Sequence, residues 1–595
     1  MSARKNKSDV WKHFTKMSDC KSKCKICDKE LPTVGGNTTG MRNHMRTAHP
    51  SCMEAAANPQ PKLQSFGIGP QRPCSDQQQE KITDMLADVL AEHLLPLQFV
   101  ESASLRRLLA FLEPNYKPPC RQTMTARMIA KKDTLAATMK TEMSEQAESV
   151  SITTDIWTSL TNEAYMSFTA TYITPQWTVR NVILDSAIML ERHTLENIAA
   201  ELARIAGDWG IGNKVLACVH DGASNVKQAG ARNDWVDIHC AAHVLHLCVT
   251  SAMGTNKTTN KPIARCVGAA SRLVSHFHHS PLATNALLKR QQEMKPTETS
   301  KKLVQHCKTR WNSAYDMMER LVELRWPVAA VLSDREIVKQ QDAKTLELTE
   351  DQWELMRCML TVLQPLQTAT ALLSAEKSPP ASVCIPMIWG LLNNHLAAQD
   401  TDLDAVRQFK REMKDELSKR FPLSKEEAGH PFVVASILDP AHKHLPAVPE
   451  EVRLAAYDNV RELLSNVALP DDESAEAEEG EESAAKRHCP GLEFILGDQY
   501  STGTEIVSAD TEFESYLSDK PASRGDVLQW WAANATNYSR VAVLARRYLA
   551  IPPTSVASER VFSLSGRVIT KTRNRLLPDT ATCLVFLNKN IRDFQ

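Results

Sequence analysis

The sequence predicts a multidomain α+β protein with a small N-terminal metal module, a mixed α/β core and a large all-α insertion that interrupts the core. Three observations predict this class. The chain of 595 residues is longer than one hydrophobic core supports. A cysteine pair and a histidine pair lie within the first 50 residues. Strand-like stretches fill residues 150–219, and long stretches with helical spacing follow them.

The charges nearly cancel over the whole chain, but they are unevenly distributed. Residues 1–50 hold eleven Lys and Arg against four Asp and Glu, and residues 540–575 hold eight against the single acid Glu559. Both segments are suited to meet a polyanion. The 15 cysteines follow no regular framework, and the Lys-rich start has no apolar leader, so we expect a reducing compartment. The sequence contains no run of 18 apolar residues, so we expect no membrane-spanning helix.

The N-terminal module has the spacing of a zinc site. Cys24 and Cys27 are separated by two residues, and His44 and His49 by four, which allows tetrahedral coordination of Zn²⁺. Cys20 is an alternative ligand with a less suitable spacing. A unit of about 40 residues is too small to fold on core burial alone, so metal binding should supply much of its folding free energy.

Around these ligands, Trp11 and Phe14 are expected to form an apolar lid, and the segment from Gly36 to Arg46 predicts a turn followed by a helix. The residues available there for phosphates or base edges are Asn37, Thr38, Thr39, Arg42 and Arg46. The arrangement resembles the BED-type zinc finger, and the resemblance implies DNA binding through that helix in the major groove. A structural or protein-binding finger is the alternative.

The core is predicted from strand patterns. Three stretches rich in Val, Ile, Thr and Tyr, at Val150–Ile156, Tyr165–Ile173 and Val179–Met189, are separated by short turns and favour an antiparallel meander. An amphipathic helix at Leu195–Trp209 and a short apolar strand at Val215–Val219 follow. This order is the opening of a ribonuclease H-like fold.

Two acids lie at the ends of strands that such a fold places side by side. Asp155 is on the first strand and Asp221 lies just past the fourth. Neighbouring strands are about 4.8 Å apart, so the two carboxylates can share a divalent cation. The alternative is that each acid satisfies local backbone N–H groups at a strand end or turn.

Phosphodiester chemistry with two cations needs a third carboxylate, and Glu559 is the candidate. Its segment predicts a helix after Pro552 and Pro553, with Thr554 or Ser555 as the cap. We expect apolar side chains to anchor this helix on the sheet and aim Glu559 inward: Val556, Val561 and Phe562. The alternative for a lone Glu is an exposed helix charge.

The motifs "TTDIWTS", "CVHDGASNV", "HCAAHVLHL", "KTRWNSAYDM", "ILDPAHK" and "PPTSVASERVFSLSGRV" occur in the order found in hAT-superfamily DNA transposases and their BED-finger relatives. The resemblance covers nearly the whole chain. It implies that Asp155, Asp221 and Glu559 bind catalytic Mg²⁺ or Mn²⁺ for DNA strand cleavage and transfer, with water and then a DNA hydroxyl as nucleophile.

The resemblance also implies roles near that site. Arg310 and Trp311 are similar to a pair that handles distorted DNA, although the indole alternatively packs between helices. Cys240 and His243 match a Cys-x-x-His motif beside the active site, and we expect no second zinc there. The C-terminal region is expected to mediate dimerisation or higher self-association, or else to form core, through Trp530, Trp531, Leu544, Tyr548 and Leu549.

Composition and resemblance together predict the domain boundaries. These are a finger at 8–50, a flexible linker at 51–80, a helical region at 81–148, the first part of the core at 149–261, a helical insertion at 262–470, an acidic linker at 471–510, and the returning core with the dimerisation region at 524–592. We expect a nuclear protein that binds double-stranded DNA. The alternative function is a domesticated, non-cutting transcriptional regulator that binds DNA as a dimer.

Overall fold

The computed structural model describes residues 9–18, 20–33, 38–49, 74–159, 162–223, 225–254, 261–307, 310–375, 380–467, 508–523, 525–569 and 576–594. Asn37 lies outside these residues, as does most of the expected flexible linker and of the expected acidic linker. The chain divides into two compact units, residues 1–78 and residues 79–595.

The first unit is a three-stranded antiparallel sheet with one helix. Its elements are β1 (Phe14–Ser18), β2 (Lys21–Cys24), β3 (Glu30–Pro32) and α1 (Thr39–Ala48). Trp11 packs only partly into the small core, whose buried members are Val10, Phe14, Cys24, Met41 and Met45. The two methionines, which the sequence analysis did not single out, come from the inner face of α1.

In the second unit, three helices precede the central sheet: α2 (Asp76–Glu92), α3 (Ala103–Leu112) and α4 (Arg121–Gln146). The sheet and its crossover helix comprise β4 (Val150–Thr158), β5 (Ala164–Ile173), β6 (Val179–Ile188), α5 (Leu195–Asp208), β7 (Val215–His220) and β8 (Val236–His239). The strand order is β6-β5-β4-β7-β8. β4, β5 and β6 are antiparallel, whereas β7 runs parallel to β4 and β8 parallel to β7.

This order confirms the predicted ribonuclease H-like core, with a short fifth strand, β8, that the sequence analysis did not identify. The meander forms because β-branched and aromatic residues alternate in short runs separated by turns. The crossover helix α5 begins where Thr194 accepts a hydrogen bond from the Asn197 N–H, and its apolar face is buried. The parallel strand β7 is buried along most of its length, as expected for a central strand.

The described part of the insertion, taken with the preceding segment from Ala241, consists of helices joined by loops and contains no strand. Its helices are α6 (Ala241–Ala252), α7 (Lys261–His279), α8 (Pro281–Met294), α9 (Trp311–Glu323), α10 (Arg325–Ser333), α11 (Gln340–Leu346), α12 (Glu350–Leu373), α13 (Cys384–Gly390), α14 (Asp404–Arg420), α15 (Pro431–Ile437) and α16 (Glu450–Ser465). Helix α12 continues through Pro365. Buried Val362, Leu363 and Leu366 hold the helix in place despite the missing N–H.

The C-terminal helices return to both parts of the second unit. They are α17 (Ala509–Ser518), α18 (Val527–Asn534), α19 (Ser539–Leu549), α20 (Val556–Val568) and α21 (Pro578–Asn590). Trp531 on α18 donates through Nε1 to the Leu438 carbonyl at 3.0 Å, which joins this segment to the insertion. Helix α20 packs on β4 and β5, and α21 packs on β6.

The edge of the sheet at β6 is closed by a side chain. The Asn590 amide accepts the Ile183 N–H at 3.0 Å and donates to the Ile183 carbonyl at 2.7 Å. The amide thus makes the two hydrogen bonds that a neighbouring strand would make, and Asn590 is fully buried.

Candidate active site and zinc centre

The four predicted zinc ligands converge. One ligand atom from each of Cys24, Cys27, His44 and His49 lies within 4.8 Å of all the others, and the Cys27 Sγ to His44 Nε2 distance is 3.2 Å. The turn between the cysteines is held by the Asp28 N–H, which donates to the Cys24 carbonyl. Cys20 is not part of this group, so the alternative ligand is excluded by geometry.

The chemistry of this group fits Zn²⁺. Burial, with the charges of His49 and Lys29, lowers the pKa of His44, which favours the neutral imidazole that a metal requires. His49 Nε2 is buried without a hydrogen-bond partner among the described residues. A buried orphan nitrogen is costly, and coordination of a metal removes that cost.

The predicted DNA-contacting residues that the structure describes lie on one side of α1. Met41, His44 and Met45 face the small core, while the exposed residues on the opposite side include Thr39, Arg42 and Arg46. Thr38 is half-buried and directly precedes the helix. The helix therefore presents a basic, acid-free face to solvent.

The first two acids of the predicted triad lie at the same level of adjacent strands. The parallel register pairs Thr153 on β4 with Val219 on β7, and each acid follows its paired residue by two positions. Asp155 Oδ1 accepts the Ile156 N–H at 2.8 Å, and Asp221 Oδ1 accepts the Ala223 N–H at 3.0 Å. Both carboxylates are half-buried, with one of these local bonds each.

The third acid reaches this edge because α20 docks on β4. Ser558 Oγ lies 2.7 Å from Thr153 Oγ1, which in turn lies 2.6 Å from Thr169 Oγ1 on β5. One helical turn further on, the Phe562 ring lies 4.2 Å from the Trp157 ring. Asp155 lies between Thr153 and Trp157 on the same face of the strand, so this docking brings Glu559 towards it.

Two further contacts tie α20 to the end of α12. Arg560 donates through Nη2 to the Ser374 carbonyl at 2.9 Å, and Thr554 donates to the Leu373 carbonyl at 3.3 Å. Ser555 occupies the N-cap position of α20, which is one of the two predicted cap residues, but it makes no side-chain capping bond. Thr554 instead uses its hydroxyl to satisfy a carbonyl at the C-terminus of α12.

Burial and repulsion between carboxylates dominate the electrostatics of the site. Burial, the charge of Asp221 and the charge of Glu559 raise the pKa of Asp155 to about 7, against a smaller lowering effect of the Ile156 N–H. The Glu559 side chain is exposed, and its orientation towards the two other acids stays a prediction. Within the described residues, the three acids do not form a group whose ligand atoms all lie within 4.8 Å.

The Cys-x-x-His motif lies beside the third acid. Cys240 is fully buried at the start of α6, where its N–H donates to the His220 carbonyl at 2.7 Å. Burial raises the pKa of Cys240, hydrogen bonding to Ser555 and the His243 backbone opposes that rise, and the charge of Glu559 adds to it. His243, half-buried, is one turn further along α6.

A second group of potential ligands, which the sequence analysis did not identify, consists of His220, Asp237 and His239. The Gly222 N–H donates to His220 Nδ1 at 2.9 Å, so neutral His220 carries its proton on Nε2. That Nε2–H lies 2.9 Å from Asp237 Oδ1 and donates to it. His220 is therefore satisfied without a metal, and the pair fixes the backbone on both sides of Asp221.

The predicted DNA-handling pair is divided between surface and core. Arg310 is exposed at the residue before α9, whereas Trp311 is only 3% exposed in the hydrophobic core of the insertion. In this conformation the indole packs between helices, which was the alternative stated for it.

The predicted dimerisation residues divide in the same way. Trp531, Leu544 and Leu549 are buried within their own chain, and Trp531 stacks on Trp177 with ring centroids 5.6 Å apart. Trp530 and Tyr548 are half-buried. No helix in the described part of the chain has the length and hydropathy to cross a bilayer.

Family models match four parts of the chain. They are a BED zinc finger at residues 8–50, a ZBED1 RNase-like domain at 153–232, a ZBED1 RNase-like helical domain at 238–362, and a hAT family C-terminal dimerisation region at 512–591. Together with the fold, these matches define a zinc-finger protein built on a ribonuclease H-like core. In these four regions the chain is similar to hAT transposases and their BED zinc finger relatives.

Individual relatives are distant in sequence. Zinc finger BED domain-containing protein 4 from Homo sapiens is 23% identical over 86% of this chain, which spans 44% of that protein. A putative AC transposase from Zea mays is 23% identical over 98% of this chain and 76% of its own length. A putative transcriptional regulator, tpeD, from Talaromyces stipitatus is 20% identical over 84% of this chain and 60% of its own length.

Proposed function

We propose that this protein is a DNA transposase, which cleaves and joins DNA strands at the site formed by Asp155, Asp221 and Glu559. The observation that carries the proposal is that Asp155 on β4 lies near enough to Asp221 and Glu559 for their charges to act on it. Burial first, and then these charges, raise the pKa of Asp155 to about 7. Grouped carboxylates with few local partners are expensive unless a cation binds them, which is typical of a functional site.

The residues divide the work as follows. Asp155 and Asp221, on fixed strands, would hold the cations, and Glu559, exposed on the first turn of α20, would close the site from the helix side. Mg²⁺ or Mn²⁺, when bound, would polarise the scissile phosphate and lower the pKa of a coordinated water. Ser558 and Arg560 would set the position of Glu559 through their bonds to Thr153 and Ser374.

The remaining features would bring DNA to this site. The BED finger, with zinc on its Cys2His2 group, would bind duplex DNA through the exposed face of α1. The match to a dimerisation region and the relationship to transposases support a nuclear protein that self-associates on DNA. Higher oligomers are expected only as an extension of that association.

The direct test is a cleavage assay on duplex DNA carrying transposon ends, with Mg²⁺ or Mn²⁺, comparing the protein with Glu559→Gln. We expect the variant to bind the same DNA and to lose nearly all cleavage. The matched control is Asp579→Asn, an exposed acid on the neighbouring helix α21, which should cleave normally. Equal cleavage by Glu559→Gln and the unmodified protein would remove Glu559 from the mechanism.

A second function is a DNA-binding transcriptional regulator that no longer cuts. Two observations favour it: Glu559 is exposed, and the three acids are not drawn within 4.8 Å of one another. The tpeD relative is named a putative transcriptional regulator, which agrees with this second function. Sequence-specific binding without cleavage on any transposon-end duplex, at any divalent cation concentration, would support the regulator.

A further inference from the structure

Helix α7 of the insertion carries an unusual charge pattern. Its 19 residues include no Asp or Glu. Four of its cationic or imidazole side chains, Arg265, Arg272, His276 and His279, follow at intervals of seven, four and three residues. At about 100° per residue these positions fall within a sector of roughly 60°, so they form one line along the helix, here called the α7 stripe.

The stripe faces away from the core. The opposite side of α7 is buried in the core of the insertion and consists of Ile263, Val267, Ala270, Val274 and Phe277. Arg265, Arg272 and His279 are exposed, and His276 is half-buried. Packing thus fixes the rotation of the helix, and the basic line is what it presents to solvent.

The C-terminal half of the stripe borders a cavity of about 460 Å³. The cavity is lined by Arg272, Ser275, His276, His279 and Ser280, so it combines a guanidinium, imidazoles and hydroxyls with no carboxylate. His276 Nε2 is buried and has no hydrogen-bond partner among the described residues. Such a lining suits an anion with several acceptor oxygens, and a phosphate has that chemistry.

The stripe begins far from the candidate active site. Cys266, next to Arg265, donates through Sγ to the Gln352 carbonyl at 3.4 Å, at the start of α12. The other end of α12 accepts the hydrogen bond from Arg560, the neighbour of Glu559. A helix of 24 residues is about 36 Å long, so the distance between the start of the stripe and Arg560 is about the length of one turn of B-DNA.

We propose that the α7 stripe binds the phosphate backbone of double-stranded DNA at a distance from the cleavage site. This deepens the proposed function and rests on it for the choice of DNA as the polyanion. From Arg265 to His279 the stripe is about 21 Å long, which is enough to reach more than one backbone phosphate of a duplex. A single free phosphate in the cavity would contact its lining, which includes Arg272 but not Arg265.

The test is the salt dependence of DNA binding by the full chain, measured by fluorescence anisotropy on duplexes of unrelated sequence. Each phosphate contact contributes about 0.9 to the slope of log K against log salt. We expect Arg265→Gln/Arg272→Gln to reduce the slope by about 1.8 on every duplex, with the thermal midpoint unchanged. The matched control is Arg411→Gln, an exposed arginine on α14, which should leave the slope unchanged.

An unchanged slope in the double variant would overturn the proposal, as would an equal reduction in Arg411→Gln. Titration with inorganic phosphate distinguishes free phosphate from DNA as the ligand. If the double variant loses phosphate binding but keeps the slope of its DNA binding, the cavity binds a free anion and the DNA contact is overturned. Retained cleavage by Glu559→Gln would refute the active site without altering this slope, so the two failures are distinguishable.

Discussion

Replacing Asp155 by Asn should stabilise the metal-free protein above neutral pH. The pKa of this carboxyl rises from 3.8 to about 7 on folding, because of burial and then the charges of Asp221 and Glu559. Since the folded state holds the proton more tightly, stability is lost as pH rises from about 4 to about 7. The neutral amide of Asp155→Asn does not ionise, so it does not lose stability in this window.

The magnitude follows from the shift. About three pKa units correspond to about 4 kcal/mol. Asp155 is partly accessible to water, which screens the charges, so about 2 kcal/mol is the realistic gain at pH 8. Part of that gain appears already below pH 5, where the carboxyl of the unfolded chain ionises, and the rest should appear between pH 5 and pH 8.

The assay is urea-induced unfolding followed by tryptophan fluorescence at pH 5 and pH 8. The Mg²⁺-free buffer contains no chelator, so the finger keeps its zinc. Millimolar Mg²⁺ should then stabilise the unmodified protein at pH 8 but not Asp155→Asn, because ligand binding to the folded state adds stability. Asp185→Asn is the matched control, since burial also raises the pKa of Asp185 but it lies on β6, away from the triad.

The control should become more stable at high pH and keep its response to Mg²⁺. If the free energies of unfolding of Asp155→Asn and the unmodified protein differ by the same amount at pH 5 and pH 8, the electrostatic reasoning is refuted. An equal Mg²⁺ response in the two proteins would refute the cation site even if the pH dependence were as expected.

Three further outcomes are expected. Cys24→Ser should lose zinc and the helix signal of the finger, measured by metal analysis and circular dichroism, because the small core cannot fold without the ion. Arg560→Met should lower cleavage by about 10- to 100-fold with DNA affinity unchanged, while Arg560→Lys recovers part of it by donating one bond to the Ser374 carbonyl. Trp531→Ala should cost about 4 kcal/mol in urea unfolding, whatever its effect on self-association.

Each of these has a result that would contradict it. Cys20→Ser is the control for the finger, and zinc loss from it as complete as from Cys24→Ser would contradict the ligand set. Full cleavage by Arg560→Met would show that the bond to α12 does not position Glu559. If Trp531→Ala kept the free energy of unfolding of the unmodified protein but no longer self-associated, this indole would serve an interface rather than the core.

Local signals explain what could be predicted from the sequence. The zinc ligands were predictable because their spacing alone restricts the site, and β4 to β7 because apolar alternation and turn residues define short strands. The short strand β8 was not found, because four residues with one fully buried side chain carry little periodicity. The ribonuclease H-like order and the family were confirmed, whereas the roles of the triad acids stay predictions.

Contacts between distant parts of the chain explain what could not be predicted. The Thr153 to Ser558 bond joins residues 405 positions apart, and nothing in either segment alone indicates it. Trp311 and Trp531 show the same limit, because an aromatic residue on a helix has one sequence pattern whether it packs in a core or contacts a partner. The position of Glu559 likewise depends on how α20 docks on β4, which the apolar neighbours of Glu559 do not determine by themselves.

The Asn590 amide has a consequence for assembly. An open outer strand offers a row of unpaired backbone groups to a passing chain, which invites uncontrolled stacking. Here a single carboxamide occupies the middle of that row at Ile183, so growth of the sheet from one molecule into the next is blocked on this side. If two copies meet on DNA, this edge is therefore not available for their association, and Asn590→Ala should increase aggregation.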